Sequence, residues 1–243
     1  MKTLRQIKNV RGKKVLLRID ANVPLQKGKL SAEGVFRIES CIPTIQYLCT
    51  KGAKVIILTH LGRPMGRQVK TLSVAPIVSF IAKKLKKKIV LVKDIVNAGA
   101  LVEGMRSGEI ICGENIRFYK EEDANDLEFA QKLSKLADVY VNDAFAVCHR
   151  TAASTVAITQ FLPSYAGLQL EKEVKMLSVA KSHTKKPLVV VVGGAKIETK
   201  VPLIKTFAPL ASAVLTGGMI GSALCTDDSK YTMPVKLVDD TKV

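Results

Sequence analysis

Tryptophan is absent from this 243-residue chain, and aromatic side chains make up only 5% of it. Proteins that stack nucleic-acid bases need rings, so this scarcity argues against a base-reading surface. No apolar run approaches the roughly 20 residues that cross a bilayer. The amino terminus, Met1-Lys2-Thr3-Leu4-Arg5, leads into more charge rather than an apolar stretch, so no secretory signal is expected. The five cysteines (Cys41, Cys49, Cys112, Cys148, Cys225) include no CxxC pair. That excludes a zinc ribbon or disulfide framework and fits reduced, mostly buried thiols in a cytoplasmic protein. Acidic residues are few, 21 against 38 lysines and arginines, giving a net charge of +17. Such a surplus can mark a nucleic-acid partner, but the cations are spread along the whole length. The densest run, Lys83-Lys84-Leu85-Lys86-Lys87-Lys88, reads as a solvated helix end, where positive charge is favoured. Neither a nucleic-acid nor a membrane partner is therefore expected.

Hydrophobic residues, 47% of the chain, are ample for a core. The length predicts one large or two unequal domains. Strand-like runs at Val15–Ile19, Lys54–Thr59, Lys88–Val92, Glu109–Cys112, Val139–Asn142, Leu188–Val192 and Ala213–Thr216 alternate with segments of helical spacing at Arg37–Thr50, Ser73–Leu85, Asp126–Ala137 and Glu171–Lys181. Ser73 is a candidate N-cap, and Gly52 fits the position just past a helix end. Near-continuous apolar strands separated by helices predict a doubly wound parallel α/β sheet in three αβα layers. The pattern breaks at Phe161–Gly167. We therefore expect a first domain over 1–168, a connecting helix and linker over 169–186, and an incomplete second α/β domain over 187–243.

Charged, polar and small residues cluster where the apolar runs end. Asp20 and Asn22 close the first strand and can accept hydrogen bonds, although an Asx turn without a ligand would look the same. In His60-Leu61-Gly62-Arg63-Pro64, Gly62 permits close backbone approach while His60 and Arg63 can donate to an anion. Arg37 opens its predicted helix, beside the positive end of the dipole, and an anion bound there would remove the conflict. Arg117 follows Glu114-Asn115, where a plain Glu–Arg ion pair is the alternative. Arg150 follows Asn142-Asp143-Ala144-Phe145, next to His149. Arginines at successive strand ends of an open parallel sheet converge on one crevice, where ligands bind. Their mutual repulsion calls for an anionic guest. A fifth cluster, Gly193-Gly194-Ala195-Lys196-Ile197-Glu198-Thr199-Lys200, follows a strand and opens a helix. There, backbone N–H groups and the dipole favour phosphate. It lacks the Walker A ending. Lys196 and Lys200, four apart, are expected on one helix face. Gly217-Gly218 repeats the strand-to-glycine arrangement, and a tight turn is the alternative for each pair.

In this order and spacing, RIDANVP, HLGRP, ENIRFYKEE, NDAF followed by HR, and GGAKIETK resemble phosphoglycerate kinases over about residues 1–220. The resemblance implies two doubly wound domains and a reversible phosphoryl transfer between 1,3-bisphosphoglycerate and ADP, giving 3-phosphoglycerate and ATP. It implies that Asp20, Asn22, Arg37, His60, Arg63, Arg117 and Arg150 hold 3-phosphoglycerate. Gly193, Gly194, Ala195, Lys196, Lys200, Gly217 and Gly218 would face the nucleotide. Arg37, Lys200 and Lys196 would stabilise the charge in flight. It further implies Mg²⁺ carried with ATP or ADP, although no metal ligand is found in this chain, and a monomer. The sequence departs from the family in three places. Ala152 stands where a second histidine is usual. The segment after Met219 reaches a later strand of the family too soon, with an intervening helical stretch missing. The ribose-contacting glutamate and the magnesium-binding aspartate of the family fall beyond Val243, so weak or no turnover is expected of this chain alone. A fragment that binds phosphorylated acids without catalysis, and a basic nucleic-acid-binding protein, are the rival readings.

Overall fold

The computed structural model describes residues 1–221 except 27, 183–185, 195 and 219. The chain divides into two compact units, Met1–Glu173 and Val174–Val243. In the first, six strands form one sheet: β1 (Lys14–Ile19), β4 (Lys54–Leu58), β5 (Ile89–Val92), β6 (Ile110–Gly113), β7 (Val139–Asp143) and β8 (Ser164–Ala166). The spatial order is β5-β6-β4-β1-β7-β8, and every pairing is parallel. β2 (Leu25–Gln26) and β3 (Lys29–Leu30) form a separate antiparallel pair. The chain winds outward from β1 in both directions, so the doubly wound expectation holds.

Alternation along β1 explains why both faces must be covered. Val15, Leu17 and Ile19 point into one core with Ile38 and Ile45 of α1 (Ala32–Thr50) and Ile77 and Ile81 of α2 (Ala75–Leu85). Leu16 points into the other, with Val102 of α3 (Gly99–Glu103) and Phe129 and Leu133 of α5 (Leu127–Ser134). Fully burying each such side chain contributes about 1.5–3 kcal/mol. The short α4 (Lys120–Asp123) precedes α5, and α6 (Leu168–Ser182) follows β8. In the second unit, β9 (Val189–Val192) pairs in parallel with β10 (Ala213–Thr216), and α7 (Ile197–Phe207) buries Ile204 against Val192 and Val214.

Three local expectations are corrected. α1 begins at Ala32, not Arg37, because Ser31 Oγ accepts from Gly34 N at 3.1 Å and caps the helix earlier. Ser73 does not cap α2; Val74 holds that position, while the Ser73 hydroxyl donates to Glu114 at 2.8 Å. Within the break at Phe161–Gly167, Ser164–Ala166 adds a sixth strand alongside β7. Gly52 stands one residue past the α1 cap with φ +78°, as its position implied. The lysine run does end α2, with Lys86 in the left-handed C-cap. The shortened region after Met219 lies outside the described residues from 222 onward.

Candidate functional site

Because all six strands are parallel, their carboxyl ends share one edge, and the loops that follow β1, β4, β6 and β7 carry the predicted polar clusters. The loop after β1 docks on the loop after β4. Asn22 Oδ1 accepts from Gly62 N at 2.9 Å, and Gly62 adopts φ +62°, a left-handed backbone that glycine tolerates. Arg37, in the second turn of α1, donates from Nη1 to Asp20 Oδ2 at 2.7 Å. The dipole conflict inferred for a helix-opening arginine therefore does not arise, and the carboxylate of Asp20 faces this guanidinium. Arg117 donates to Gly62 O at 3.0 Å and pairs with Asp123 at 3.2 Å. Glu114 is not its partner. That carboxylate instead accepts from the Ser73 hydroxyl and the Val74 and Asn115 backbone N–H groups.

Beneath these loops lies a buried network centred on Arg18. Arg18, 2% exposed in the central strand, is on the same face as Leu16. It donates from Nε to Ser154 Oγ at 2.9 Å, from Nη1 to its neighbour Ile19 O, and from Nη2 toward His60 Nδ1 at 2.9 Å. Ser154 passes the connection on, donating from Oγ and from its backbone N to the two oxygens of buried Glu122 at 2.6 and 2.8 Å. Tyr140 donates its hydroxyl to Ser154 O at 2.7 Å. The only signal available in the sequence was an arginine one residue short of the end of an apolar strand.

This network decides the chemistry of His60. A guanidinium has no acceptor, so Nδ1 must be the acceptor and the proton of the neutral ring sits on Nε2. His60 is 1% exposed. Burial first, then the charges of Arg18, Arg117, Arg150 and Arg37, hold its pKa down to about 2. It is thus a neutral donor, not the cation that its place in the motif suggested. Of the four arginines, Arg18 touches the ring, Arg117 reaches Gly62 O two residues further along the same loop, and Arg37 and Arg150 act on His60 through their charge. Burial also lowers Arg117, opposed by Asp123 and reinforced by Arg150 and Arg18.

Carboxylates do not balance this charge. Asp20, Glu122 and Asp123 pair with Arg37, Arg18 and Arg117 respectively. The half-buried Arg150 side chain and the exposed Arg63 side chain have no hydrogen bond or ion pair among the described residues. Arg63 shares the loop of His60 but is not drawn into the cluster. Ala152 is buried, with its carbonyl accepting from the Thr155 and Val156 N–H groups. Two cavities open at this edge. One of about 510 Å³ is lined by Asn22, Leu61 and Gly62, and one of about 350 Å³ by Asp20, Arg37 and Asp143.

The glycine-rich segments belong to the second unit. Gly193 and Gly194 are exposed beyond β9, and Gly194 takes φ +136°, which other residues rarely adopt. Lys196 is the N-cap of α7 with extended backbone and no side-chain capping bond. It therefore does not share a helical face with Lys200, as four-residue spacing had implied. Lys200 is half-buried on the first turns of α7, and its Cε lies 3.4 Å from where a Cβ on Gly194 would be. Gly217 N donates to Val192 O at 3.2 Å, and Gly218 is left-handed at φ +62°. Ala195 lies outside the described residues.

The family model described as phosphoglycerate kinase matches residues 4–243. A protein of that name from Coprothermobacter proteolyticus is 43% identical over 220 residues, covering 88% of this chain and 56% of its own length. One from Synechococcus elongatus is 42% identical over 214 residues, covering 86% and 53%. Among solved structures, the phosphoglycerate kinase of Pyrococcus horikoshii matches with a TM-score of 0.82 and 33% identity, over 91% of this chain and 56% of that one. That of Coxiella burnetii matches with a TM-score of 0.78 and 37% identity, over 90% and 55%. The chain spans about half the length of the curated relatives it matches.

Proposed function

This chain belongs to the phosphoglycerate kinase family, and on that premise we propose that it handles 3-phosphoglycerate and 1,3-bisphosphoglycerate at the arginine-rich edge of its first unit. In the proposed reaction a carboxylate oxygen of 3-phosphoglycerate attacks the terminal phosphorus of ATP while the bond to the β-phosphate oxygen breaks. The reverse direction makes ATP. Such a transfer needs positioning and cationic groups around the equatorial oxygens rather than covalent help.

The observation that supports this reading is the group of four arginines acting on a neutral His60, three of them paired with carboxylates and the Arg150 side chain left without a hydrogen bond or ion pair among the described residues. Arg150, Arg117 and Arg63 supply charge for a phosphate, while His60 Nε2–H and the amide nitrogen of Asn22 supply directed donors. Arg37, released from Asp20 or shared with it, is the group proposed to follow charge onto the transferring phosphoryl. Asp20 would accept from the substrate hydroxyl. In the second unit, Gly193, Gly194, Ala195, Gly217 and Gly218 would approach nucleotide phosphates, with Lys200 the nearer cation and Lys196 the outer one. We propose the division of labour that goes with it: residues 1–168 for the acid, 169–186 as connector, 187–243 for the nucleotide, in a monomeric cytoplasmic protein.

The family also implies Mg²⁺, which when bound to ATP or ADP neutralises the phosphate oxygens. Among the described residues no group of three histidine, cysteine or carboxylate side chains could hold a metal. The ion would arrive with the nucleotide.

Calorimetry with 3-phosphoglycerate, beside a coupled turnover assay with Mg-ATP, tests the proposal. Heat of binding that disappears in Arg117→Ala supports the acid site, and no heat at millimolar ligand removes it. Binding without turnover would favour the second reading, a non-catalytic binder of phosphorylated acids; that the residues proposed for the acid all fall within the first unit is what speaks for it.

A further inference from the structure

A second cationic surface lies at the opposite, amino-terminal edge of the same sheet. Its cations are remote in sequence, and the parallel topology gathers them. Arg11 and Lys13 precede β1, and the two turns are tied by Gly12 N donating to Gly52 O at 2.8 Å. Lys51 ends α1, Lys54 begins β4, and Lys86, Lys87 and Lys88 lead from α2 into β5. Arg106 precedes β6 and Lys135 follows α5. The carboxylates at this edge are fewer than its cations, and among the described residues only Glu103 of them meets a cationic group. Glu103 pairs with Lys14 Nζ at 2.7 Å, Asp138 accepts from Lys14 N at 2.8 Å, and Glu109 accepts from Arg106 N at 2.8 Å. Arg11, Lys13, Lys51, Lys86, Lys88 and Lys135 are exposed and have no ion pair among the described residues.

From this we infer that the amino-terminal edge of the first unit binds double-stranded nucleic acid through its phosphates, without reading sequence. The dispersal of cations along the chain had pointed away from any such partner; folding reverses that argument. From β7 to β5 the edge crosses four strand spacings, about 19 Å. An elongated row of that length fits a linear polyanion rather than a small one, since a duplex presents a charge every ~1.7 Å of axis. The nearby rings cannot serve as base-stacking platforms, because Lys51 stands 6.0 Å over Tyr47 and Lys84 5.3 Å over Phe80. That favours an intact duplex held by its backbone over a single strand held by its bases. The edge lies at the other end of the strands from the arginine cluster, so the inference stands independently of the proposed function.

Anisotropy of a fluorescent 20-base-pair duplex, titrated with the whole chain, tests it. If about four phosphates are contacted, affinity should fall roughly 100-fold between 50 and 200 mM KCl. The triple reversal Lys13→Glu, Lys51→Glu, Lys88→Glu should weaken binding at least tenfold at 50 mM KCl. Lys70→Glu, Lys93→Glu, Lys120→Glu makes the same change of net charge at the other edge and should weaken it less than threefold. Millimolar 3-phosphoglycerate should not displace the duplex. The inference is overturned by no binding at 50 mM KCl, by equal losses in the two variants, by displacement with 3-phosphoglycerate, or by phosphatidylserine vesicles outcompeting the duplex at equal charge.

Discussion

Replacing His60 with asparagine should flatten part of the pH dependence of folding. Asparagine keeps an oxygen where Nδ1 sits, so Arg18 retains an acceptor, but the titrating ring is gone. In the folded protein the ring charges only near pH 2, whereas in the unfolded chain it charges near 6.5. A folded-state pKa below the unfolded one means that the unfolded chain binds the extra proton. The contribution of His60 is therefore complete above pH 6.5 and is lost progressively as pH falls toward 2. The slope is about 1.4 kcal/mol per pH unit, or roughly 2.5 kcal/mol between pH 6.5 and 4.5. For a unit of this size that corresponds to a shift of roughly 5–10 °C in Tm. Urea unfolding of the wild type and His60→Asn across pH 4.5–8 measures it, because carboxylate titration is common to both and cancels in the difference. The wild type should lose about 2.5 kcal/mol more than the variant over that interval. Parallel stability curves, or a His60 ring proton whose NMR shift titrates near pH 6.5, would refute the reasoning.

Ser154→Ala leaves a buried Glu122 oxygen and Arg18 Nε without their shared partner, and should cost about 2–3 kcal/mol in urea unfolding. Arg150→Ala removes a side chain with no hydrogen bond or ion pair among the described residues, so stability should change by less than ~0.5 kcal/mol, while calorimetry should show acid affinity reduced roughly 10- to 100-fold. Gly167→Ala would set a methyl 2.2 Å from Asp143 Oδ1, which accepts from the Gln169 and Leu170 N–H groups at the start of α6. Unfolding monitored by circular dichroism should show at least ~2 kcal/mol lost.

The loops proposed to bind the acid were legible because their residues are adjacent in sequence to the strands that end there, and a parallel sheet brings strand ends together whatever the intervening helices do. Arg117 shows where that stops. Its nearest acid in sequence, Glu114, is turned away to the start of α2, and the arginine pairs instead with Asp123. Which of two nearby carboxylates an arginine takes is settled by loop direction, which local spacing does not encode. The start of α1 was misplaced for a related reason. Apolar periodicity is clear from Arg37 onward, but the helix is begun by a hydrogen bond at Ser31.

By itself, then, the sequence determined the alternation of strand and helix, the apolar content that demands a sheet covered on both faces, and the positions of the arginines and glycines at strand ends. Each of these follows from local pattern and from the regular repeat of strands and helices. Only the tertiary structure decided that Arg18 is buried and holds His60 neutral, and that Ser154 and Glu122 support it from more than 100 residues away in sequence for Arg18. It alone gathered scattered lysines onto one edge. Those outcomes depend on distances between residues far apart in the chain, and long-range contacts fix charge and protonation where spacing along the chain cannot.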